Sequence, residues 1–344
     1  ALPISHSFQQ SLARSANTQT FQNAVADTCS ASAACPPCGQ EGSCMLWGDP
    51  HIYVFDGKAQ LRVLEEGDFW VVRSDCVHIQ GRYANSATGS PAVIQAIAVG
   101  GAFLQGHTLV VEARSGQVTW DGTPILGAFP SSFAVDGLVE ATYDDSGEHV
   151  DPGLKGLGLR SVQAELPLGV SLTANRWPDH VDVLLSMRPM PGGQDGHCGN
   201  HNGLAEDDTL EQIEARLGGA RVAPADALFG APLAAGAAGA GRRAGSVATI
   251  DDCAPDDRDA AEVLCRQTQP PQGNGVPQAE YIESCVFDVC FGGEVFARED
   301  AVIEEQMTQR AAAAGAGSCA CAPGRTTTPG APPPAGPPAT TPAA

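Results

Sequence analysis

The chain has 344 residues, and its 40 Asp and Glu against 19 Lys and Arg give a formal net charge of −21 at pH 7. This charge argues against a nucleic-acid partner, because affinity for nucleic acid comes mainly from Lys and Arg on phosphates. No run of about 18 or more apolar residues occurs, so no membrane span is predicted. The even number of cysteines, 12, without any nucleotide-binding motif favours disulfides and a secreted, extracellular or cell-surface protein.

Residues 1–43 are predicted to form a leader that ends in a Cys-rich knot. Four apolar residues between Phe8 and Val25 are loosely spaced for one helical face. Two interpretations stay open: a helix packed on the next domain, or a contact surface for a neighbouring subunit. The knot, Cys29–Cys44, contains Cys35-Pro-Pro-Cys38, which is read as structural disulfides because no second pair of zinc ligands accompanies it.

Residues 44–222 are predicted to form a β-sandwich domain. Short β-rich runs alternate with turns containing Gly, Asp or Asn, a pattern typical of sandwiches and barrels. The predicted strands are His51–Phe55, Phe69–Arg73, Val77–Arg82, Val93–Val99, Thr108–Ala113, Gln117–Trp120, Val170–Ala174 and His180–Ser186. The stretch 136–160, rich in Gly, Asp and Glu, is predicted to be a long surface insertion.

The remainder of the chain is predicted to contain a linker, a helical module and a tail. Residues 223–250 are rich in Ala, Gly and Pro and are read as a linker. Residues 251–322 combine six cysteines with two helix candidates, Ala260–Arg266 and Glu294–Ala313, and predict a small disulfide-rich helical module. Residues 323–344 form a Pro/Thr-rich tail that is expected to be extended and to carry O-linked glycans.

Two short motifs, on either side of residues 58–197, carry the functional signal. Gly48–Gly57 reads GDPHIYVFDG, and Cys198–Asp208 reads CGNHNGLAEDD. The second motif places Asn and Asp oxygens at alternate positions around a glycine turn, which suits a hard cation such as Ca²⁺. The competing interpretation is an Asx-rich turn that caps a helix beginning near Asp208.

The two motifs resemble the von Willebrand factor type D domain, which occurs in secreted mucins, clotting proteins and adhesive proteins. Cys44, the G-D-P-H string and F-D-G follow the opening pattern of that family, and Cys198–Asp208 matches each fixed position of C-G-N-x-N-G-x-x-x-D-D. The resemblance covers residues 44–222. Tyr281–Cys290 also looks like the end of the C8 module that often follows a type D domain, here shortened because six cysteines replace the usual eight.

The resemblance implies a calcium site that joins both motifs. Its ligands would be Asp56, Asn200, Asn202, the backbone carbonyl of Leu204, Asp207 and Asp208. The two histidines that flank the loop, His197 and His201, are expected to face solvent.

The resemblance also implies a disulfide between Cys44 and Cys198. A second family disulfide is expected to be missing, because other residues occupy both of its cysteine positions. The partner of Cys76 stays open, with the leader cysteines as candidates. The replaced positions are Asp195 or Gly196 and Asp68 or Phe69.

Some relatives cleave their own G-D-P-H string between Asp and Pro in mild acid. Asp49 and Pro50 are both present here. In that reaction the Asp carboxylate attacks its own carbonyl carbon, and the Pro nitrogen leaves. The structural alternative is that the string forms a turn at the entry to a strand.

Together these observations predict a calcium-stabilised, disulfide-linked structural or adhesive module of a polymeric matrix, mucus-like layer or surface filament. Its partners would be copies of itself or other extracellular subunits. The alternative is a soluble ligand- or receptor-binding ectodomain that does not self-associate. An enzyme is disfavoured, because the sequence contains no G-x-S-x-G, P-loop or H-E-x-x-H context and no nucleophile–base pair.

Overall fold

The computed structural model describes residues 29, 39–48, 50–57, 60–63, 65–85, 92–128, 130–144, 160–230, 249–269 and 276–314. Within these residues the fold is mainly β, with two antiparallel sheets and four α-helices. The predicted leader helix, Cys35, Cys38, Cys319, Cys321 and the Pro/Thr-rich tail lie outside the described residues.

Fifteen strands occur in the described residues. They are β1 Gly42–Trp47, β2 His51–Tyr53, β3 Gln60–Arg62, β4 Gly67–Ser74, β5 His78–Asn85, β6 Ala92–Gly100, β7 Leu109–Glu112, β8 Val118–Trp120, β9 Thr123–Ile125, β10 Ser131–Val135, β11 Val139–Asp144, β12 Arg160–Leu166, β13 Val170–Arg176, β14 Val181–Met187 and β15 Gln194–Asp195.

The strands form two sheets that pack face to face. The first sheet has the order β10-β11-β12-β13-β14-β1-β2-β3, and the second has the order β15-β4-β5-β6-β7-β8-β9. Their inner faces share one apolar core, to which Leu46 and Ile52 contribute from the first sheet and Val71 and Ile79 from the second. We refer to the two sheets and the loops between them as the β unit.

All eight strands predicted from the sequence occur, with ends displaced by up to a few residues. The predicted surface insertion is wrong over Val139–Asp144, which is strand β11 and pairs with β12 from Glu140↔Glu165 to Asp144↔Ser161. The prediction failed there because β11 alternates exposed polar with buried apolar residues, so its polar content resembles that of a loop.

Strands β1 and β14 are buried on both faces of the first sheet. Cys44 and Leu46 point into the sandwich core, whereas Met45 and Trp47 pack against the C-terminal helices. In β14, Leu184 likewise belongs to the helix-facing cluster. Because side chains alternate along a strand, continuously apolar runs such as these serve two interfaces at once.

The four α-helices are α1 Leu210–Leu217, α2 Pro255–Thr268, α3 Gln278–Gly292 and α4 Phe296–Ala314. Helices α2–α4 form what we call the helical unit, where Cys253–Cys290 and Cys265–Cys285 are disulfides. The predicted helix Ala260–Arg266 lies within α2, and the predicted helix Glu294–Ala313 nearly coincides with α4. Helix α3 was not predicted. That helix packs against both other helices and the sheet, so it lacks the single apolar stripe that marks a surface helix.

The first part of the predicted linker packs on the β unit. The Gln80 side chain donates to the carbonyl of Asp226 at 2.7 Å and accepts from the amide of Leu228 at 2.8 Å. Phe229 is 5% exposed and covers Ala96 and Ala98 on the outer face of β6. The packed chain therefore continues beyond the predicted boundary at residue 222, and residues 231–248 lie outside the described residues.

Replacing Phe229 by Ala is expected to lower the free energy of unfolding by about 3 kcal/mol, because it removes a large side chain from a buried site. Urea-induced unfolding would measure the change. The control Val263→Ala alters a side chain that is 56% exposed on α2 and should change stability by less than about 0.5 kcal/mol. Equal effects of the two substitutions would show that Phe229 belongs to a linker.

Candidate functional site

The fold brings the two sequence motifs together at one end of the β unit. Cys44 of β1 forms a disulfide with Cys198, and both residues are fully buried. The amide of Phe55 donates to the carbonyl of Cys198 at 3.0 Å. The aspartate that follows Phe55 is thereby held beside the loop that follows Cys198.

Asp56 receives two hydrogen bonds from the backbone of that loop. Its carboxylate accepts from the amide of Asn202 at 3.0 Å and from the amide of Gly203 at 2.8 Å. Gly203 has a φ of +86°, so the chain turns back at this point in a conformation that favours glycine. A carboxylate of the first motif therefore shapes the turn of the second.

Asn200, Asn202 and Asp207 form the inner side of the loop. Both carboxamide groups donate to Asp207 Oδ2, from Asn200 at 3.1 Å and from Asn202 at 2.8 Å. The Asn202 Oδ1 accepts from the amide of Leu204 at 2.8 Å. The Leu204 side chain is 58% exposed, and its carbonyl accepts from the Asp207 amide at 3.4 Å.

Asp208 is buried beneath Gly199 of the C-G-N string. A Cβ atom on Gly199 would lie 2.2 Å from Asp208 Oδ2, and Gly199 has a φ of +81°, so only glycine fits here. The other oxygen, Oδ1, accepts from the Asn200 amide at 3.1 Å and from Arg216 Nη2 at 3.0 Å. The glycine at one end of the motif and the aspartate at the other are thus required by the same contact.

The loop concentrates negative charge. Burial, together with the carboxylates of Asp56 and Asp207, raises the pKa of Asp208 to about 6, against the hydrogen bond from Asn200 and the charge of Arg216. Asp207 Oδ1 and Asp208 Oδ2 are buried oxygens without a hydrogen-bond partner. The donor set consists of carboxylate, carboxamide and backbone oxygens, which is the chemistry of a Ca²⁺ site.

The competing interpretation is confirmed in part, because Asn200 Oδ1 accepts from the Asn202 amide at 3.0 Å and Asn202 Oδ1 from the Leu204 amide at 2.8 Å, as in Asx turns. The capping part of it is wrong. Helix α1 begins at Leu210 and is capped by Thr209, whose side chain accepts from the amide of Gln212 in a capping box. Asn200, Asn202 and Asp207 take no part in that cap. The Asx turns account for the Oδ1 atoms of the two asparagines, and the approach of both carboxamides to Asp207 Oδ2 is additional to them.

The prediction that His197 faces solvent is wrong. His197 is fully buried, and its Nδ1 lies 3.0 Å from the hydroxyl of Tyr83. Burial lowers its pKa to about 3, so it is neutral. His201 is partly buried and stacks on Phe55 with 4.8 Å between the ring centroids. A single residue beside a polar loop gives no sequence signal for burial.

Of the residues named for the disulfide that was expected to be missing, Asp195 and Asp68 each form an ion pair. Asp195 binds Arg216, with Nη2 and Oδ1 3.0 Å apart. Asp68 binds Arg82 through two contacts of 2.8 and 2.9 Å. Cys76, whose partner the sequence left open, is bonded to Cys29 of the leader.

Pro50 is buried, and its carbonyl accepts from the amide of Val63 at 3.2 Å. Asp49 lies outside the described residues, so cleavage at Asp49-Pro50 stays a prediction. A cut at this bond would leave Cys29 and Cys44 on one fragment and Cys76 and Cys198 on the other. The two fragments would therefore stay joined by two disulfides.

The chain matches no protein-family model. Within the part of the chain that the structure describes, no group of three or more His, Cys, Asp and Glu side chains is arranged to hold a metal ion. That statement concerns these four residue types only, whereas the loop of the second motif also offers oxygens of Asn side chains and of the backbone. None of the helices in the described segments is long and apolar enough to cross a membrane.

Removing the Cys44–Cys198 disulfide by replacing both cysteines with Ala is expected to lower the free energy of unfolding by about 5 kcal/mol. The reason is the separation of 154 residues, because a longer closed loop restricts the unfolded chain more. The matched double variant at Cys265 and Cys285, which are 20 residues apart, should lose about 3 kcal/mol. Chemical denaturation would measure both, and the reverse order would contradict the argument from loop length.

Proposed function

We propose that this chain is an extracellular structural or adhesive module, built as a calcium-stabilised type D domain of the von Willebrand factor kind followed by a shortened C8-like module. The observation that carries the proposal is the contact between Asp56 and the backbone of Asn202 and Gly203. It joins the two motifs of the resemblance at the place where the family's calcium site would be.

Calcium would be held by the residues that the resemblance names: Asp56, Asn200, Asn202, the carbonyl of Leu204, Asp207 and Asp208. When bound, the ion would offset two of the three negative charges of the neighbouring carboxylates. Asp56 and the second motif would then be cross-linked by the ion in addition to the Cys44–Cys198 disulfide. The buried oxygens of Asp207 and Asp208 that lack a partner support this assignment.

An oxidising, secreted setting is supported by four disulfides among the described residues, because disulfides persist outside the reducing cytosol. In that setting the module would contribute rigidity to a polymeric matrix, mucus-like layer or surface filament. Its partners would be copies of itself or other extracellular subunits. The Pro/Thr-rich tail, residues 323–344, would carry glycans.

Calcium is expected to raise the melting temperature of the oxidised chain. At a free concentration about 100 times the dissociation constant, binding stabilises the folded state by about 2.7 kcal/mol, which corresponds to a rise of about 5–10 °C. Differential scanning calorimetry in calcium and then in chelator would measure the difference. The replacements Asp56→Ala and Asp207→Ala should each abolish it.

The control for this experiment is Asp136→Ala, which removes the same charge from an exposed turn and should leave the calcium response unchanged. The difference between calcium and chelator is the readout, because Asp56→Ala also removes two hydrogen bonds and lowers stability in both conditions. A melting temperature of the unmodified chain that is the same in calcium and in chelator would refute the calcium site.

The assembly role predicts oligomers that depend on calcium. Size-exclusion chromatography with light scattering on the oxidised full-length chain should give a larger mass in calcium than in chelator. A monomer in both conditions would favour the alternative, a soluble ligand- or receptor-binding ectodomain. This outcome is independent of the melting experiment, since a monomer can still bind calcium.

A further inference from the structure

The first sheet and the helical unit enclose a group of ionisable side chains in their interface. Apolar contacts surround the group, with Met45, Trp47 and Leu184 on the sheet side. We call the group the interface cluster. Each member is at most 3% exposed, and the members are His51, His180, Asp182, Asp288, Glu299 and Asp300.

The cluster connects the sheet to α3 and α4 through two histidines. His51 of β2 lies 2.8 Å from Asp288 of α3, measured from Nε2 to Oδ1. His180 Nε2 lies 3.6 Å from Asp182 Oδ1 on β14 and 3.6 Å from Glu299 Oε2 on α4. The contacts with Asp288 and Glu299 join residues that are distant in the chain, so they exist only while the helical unit is docked. The contact between His180 and Asp182 lies within the β unit.

The G-D-P-H string is part of this interface. A Cβ atom on Gly48, which has a φ of +57°, would lie 2.0 Å from Asp288 Oδ2. The Gly48 amide donates to Asp182 Oδ1 at 3.3 Å. Trp177 Nε1 donates to the other oxygen of Asp182 at 2.6 Å. The glycine of the first motif is therefore required where α3 approaches the sheet.

Four carboxyl groups in the cluster face two histidines, so the cluster is rich in acid. Asp300 is 1% exposed, and neither of its carboxyl oxygens has a hydrogen-bond partner. An ionised carboxylate in such a place costs far more than a neutral one, because burial removes it from solvent and no hydrogen bond from the described residues offsets its charge. The docked helical unit therefore favours a protonated Asp300.

Other groups pack around the cluster. Glu304 of α4 is 6% exposed and accepts from the amide of Val276 at 3.3 Å. The Tyr281 ring of α3 is buried and faces Asp300 and Glu304. Asp179 accepts from His180 Nδ1 at 2.8 Å. The guanidinium of Arg62, on β3, lies 4.0 Å from the ring centre of Phe287.

The environment raises the pKa values of three carboxyl groups and one histidine in and beside the cluster. Burial raises the pKa of Asp300 well above its ordinary range, with further increases from Asp288 and Asp182. Burial also raises the pKa of Glu299 to about 7 and that of Glu304 to about 7. Burial alone would lower the pKa of His180, but its hydrogen bond to Asp179 and the nearby carboxylates raise it to about 9.

Raised pKa values mean that docking takes up protons. Between the ordinary pKa of a carboxyl group and its raised value, the docked state keeps a proton that the undocked state has lost. Docking is therefore strongest below about pH 4.5 and weakens as the pH rises through 7. His180 adds to this pH dependence only through Glu299, because Asp179 and Asp182 stay beside it in the β unit. The pKa of Asp179 is lowered, so its opposite effect lies in more acid solution.

No disulfide among the described residues joins the helical unit to the β unit. Cys29–Cys76 joins the leader to the β unit, and Cys44–Cys198 lies within the β unit. Cys253–Cys290 and Cys265–Cys285 lie within the helical unit. Within the described chain the attachment between the two units thus depends on packing, on the hydrogen bonds between Asn175 and Gln306, and on the charge state of the cluster.

We propose that the interface cluster is a pH-sensitive latch, which holds the helical unit on the first sheet in acid and loosens it as the pH rises above neutral. Loosening would expose the helix-facing side of β1 and β14, where Met45, Trp47 and Leu184 lie. Acid would therefore favour a closed form of the chain, and alkali a more open form.

Hydrogen–deuterium exchange on the oxidised full-length chain tests the latch. After correction for the intrinsic effect of pH on exchange, the protection of backbone amides in 296–309 should fall at least about tenfold between pH 5.5 and 8.5. Amides of β4 and β5 in the second sheet, which the helical unit does not cover, should change much less. Protection in 296–309 that is independent of pH would overturn the proposal.

Two variants make the test specific. The double variant Glu299→Gln and Asp300→Asn imitates the protonated state and should flatten the pH dependence, with high protection retained at pH 8.5. Should that variant fail to fold, Glu304→Gln alone should shift the loss of protection to higher pH. The control Asp259→Asn, at an exposed position of α2, should keep the pH response of the unmodified chain.

A cation bound in the cluster would give the opposite result. Metal ligands must lose their protons, so protection of 296–309 would then rise with pH and would fall on addition of chelator. That outcome would replace the latch with a metal site. The same measurement in chelator also separates the latch from the calcium loop, whose ligands lie outside the interface.

Discussion

Strands β1 and β14 pair in the middle of the first sheet with both faces buried, and the positions of the other parts depend on this pair. Cys44 and Leu46 point into the sandwich core, and Met45 and Trp47 point towards the helices. One face thus anchors the disulfide that reaches the C-G-N loop, and the other receives the helical unit. The alternation of side chains along β1 is what couples the two regions.

The loop of the second motif shows how few contacts determine a polar turn. Asp56 binds two successive amides of the loop, and Asp208 occupies the space that a side chain on Gly199 would need. Each contact restricts the loop from a different side. The carboxylates that remain close together repel each other, and the divalent cation proposed above would relieve that repulsion.

Much of the β unit was predictable, because alternating and β-rich runs mark a strand locally. All eight predicted strands occur, and the turn at Asp121-Gly122 joins β8 to β9 with φ values of 51° and 73°, as an Asp-Gly hairpin turn requires. The failures lie where burial is decided by a distant partner. Helix α3 has apolar contacts on several sides. Phe229 covers β6 although it lies next to an Ala/Gly-rich stretch, and His197 is enclosed by aromatic rings.

The sequence by itself determined the mainly β character, the cysteine-rich helical end and the two motifs with their oxygen donors, because these depend on residue type and short spacing. Only the tertiary structure decided which residues meet. The contact between His51 and Asp288 spans 237 residues, and that between Asp56 and Gly203 spans 147. Local pattern carries no information about such separations, because the sheet order and the docking of the helices bring the partners together. The charge state of the interface cluster follows from that docking, since burial rather than residue type raises the pKa of its carboxyl groups.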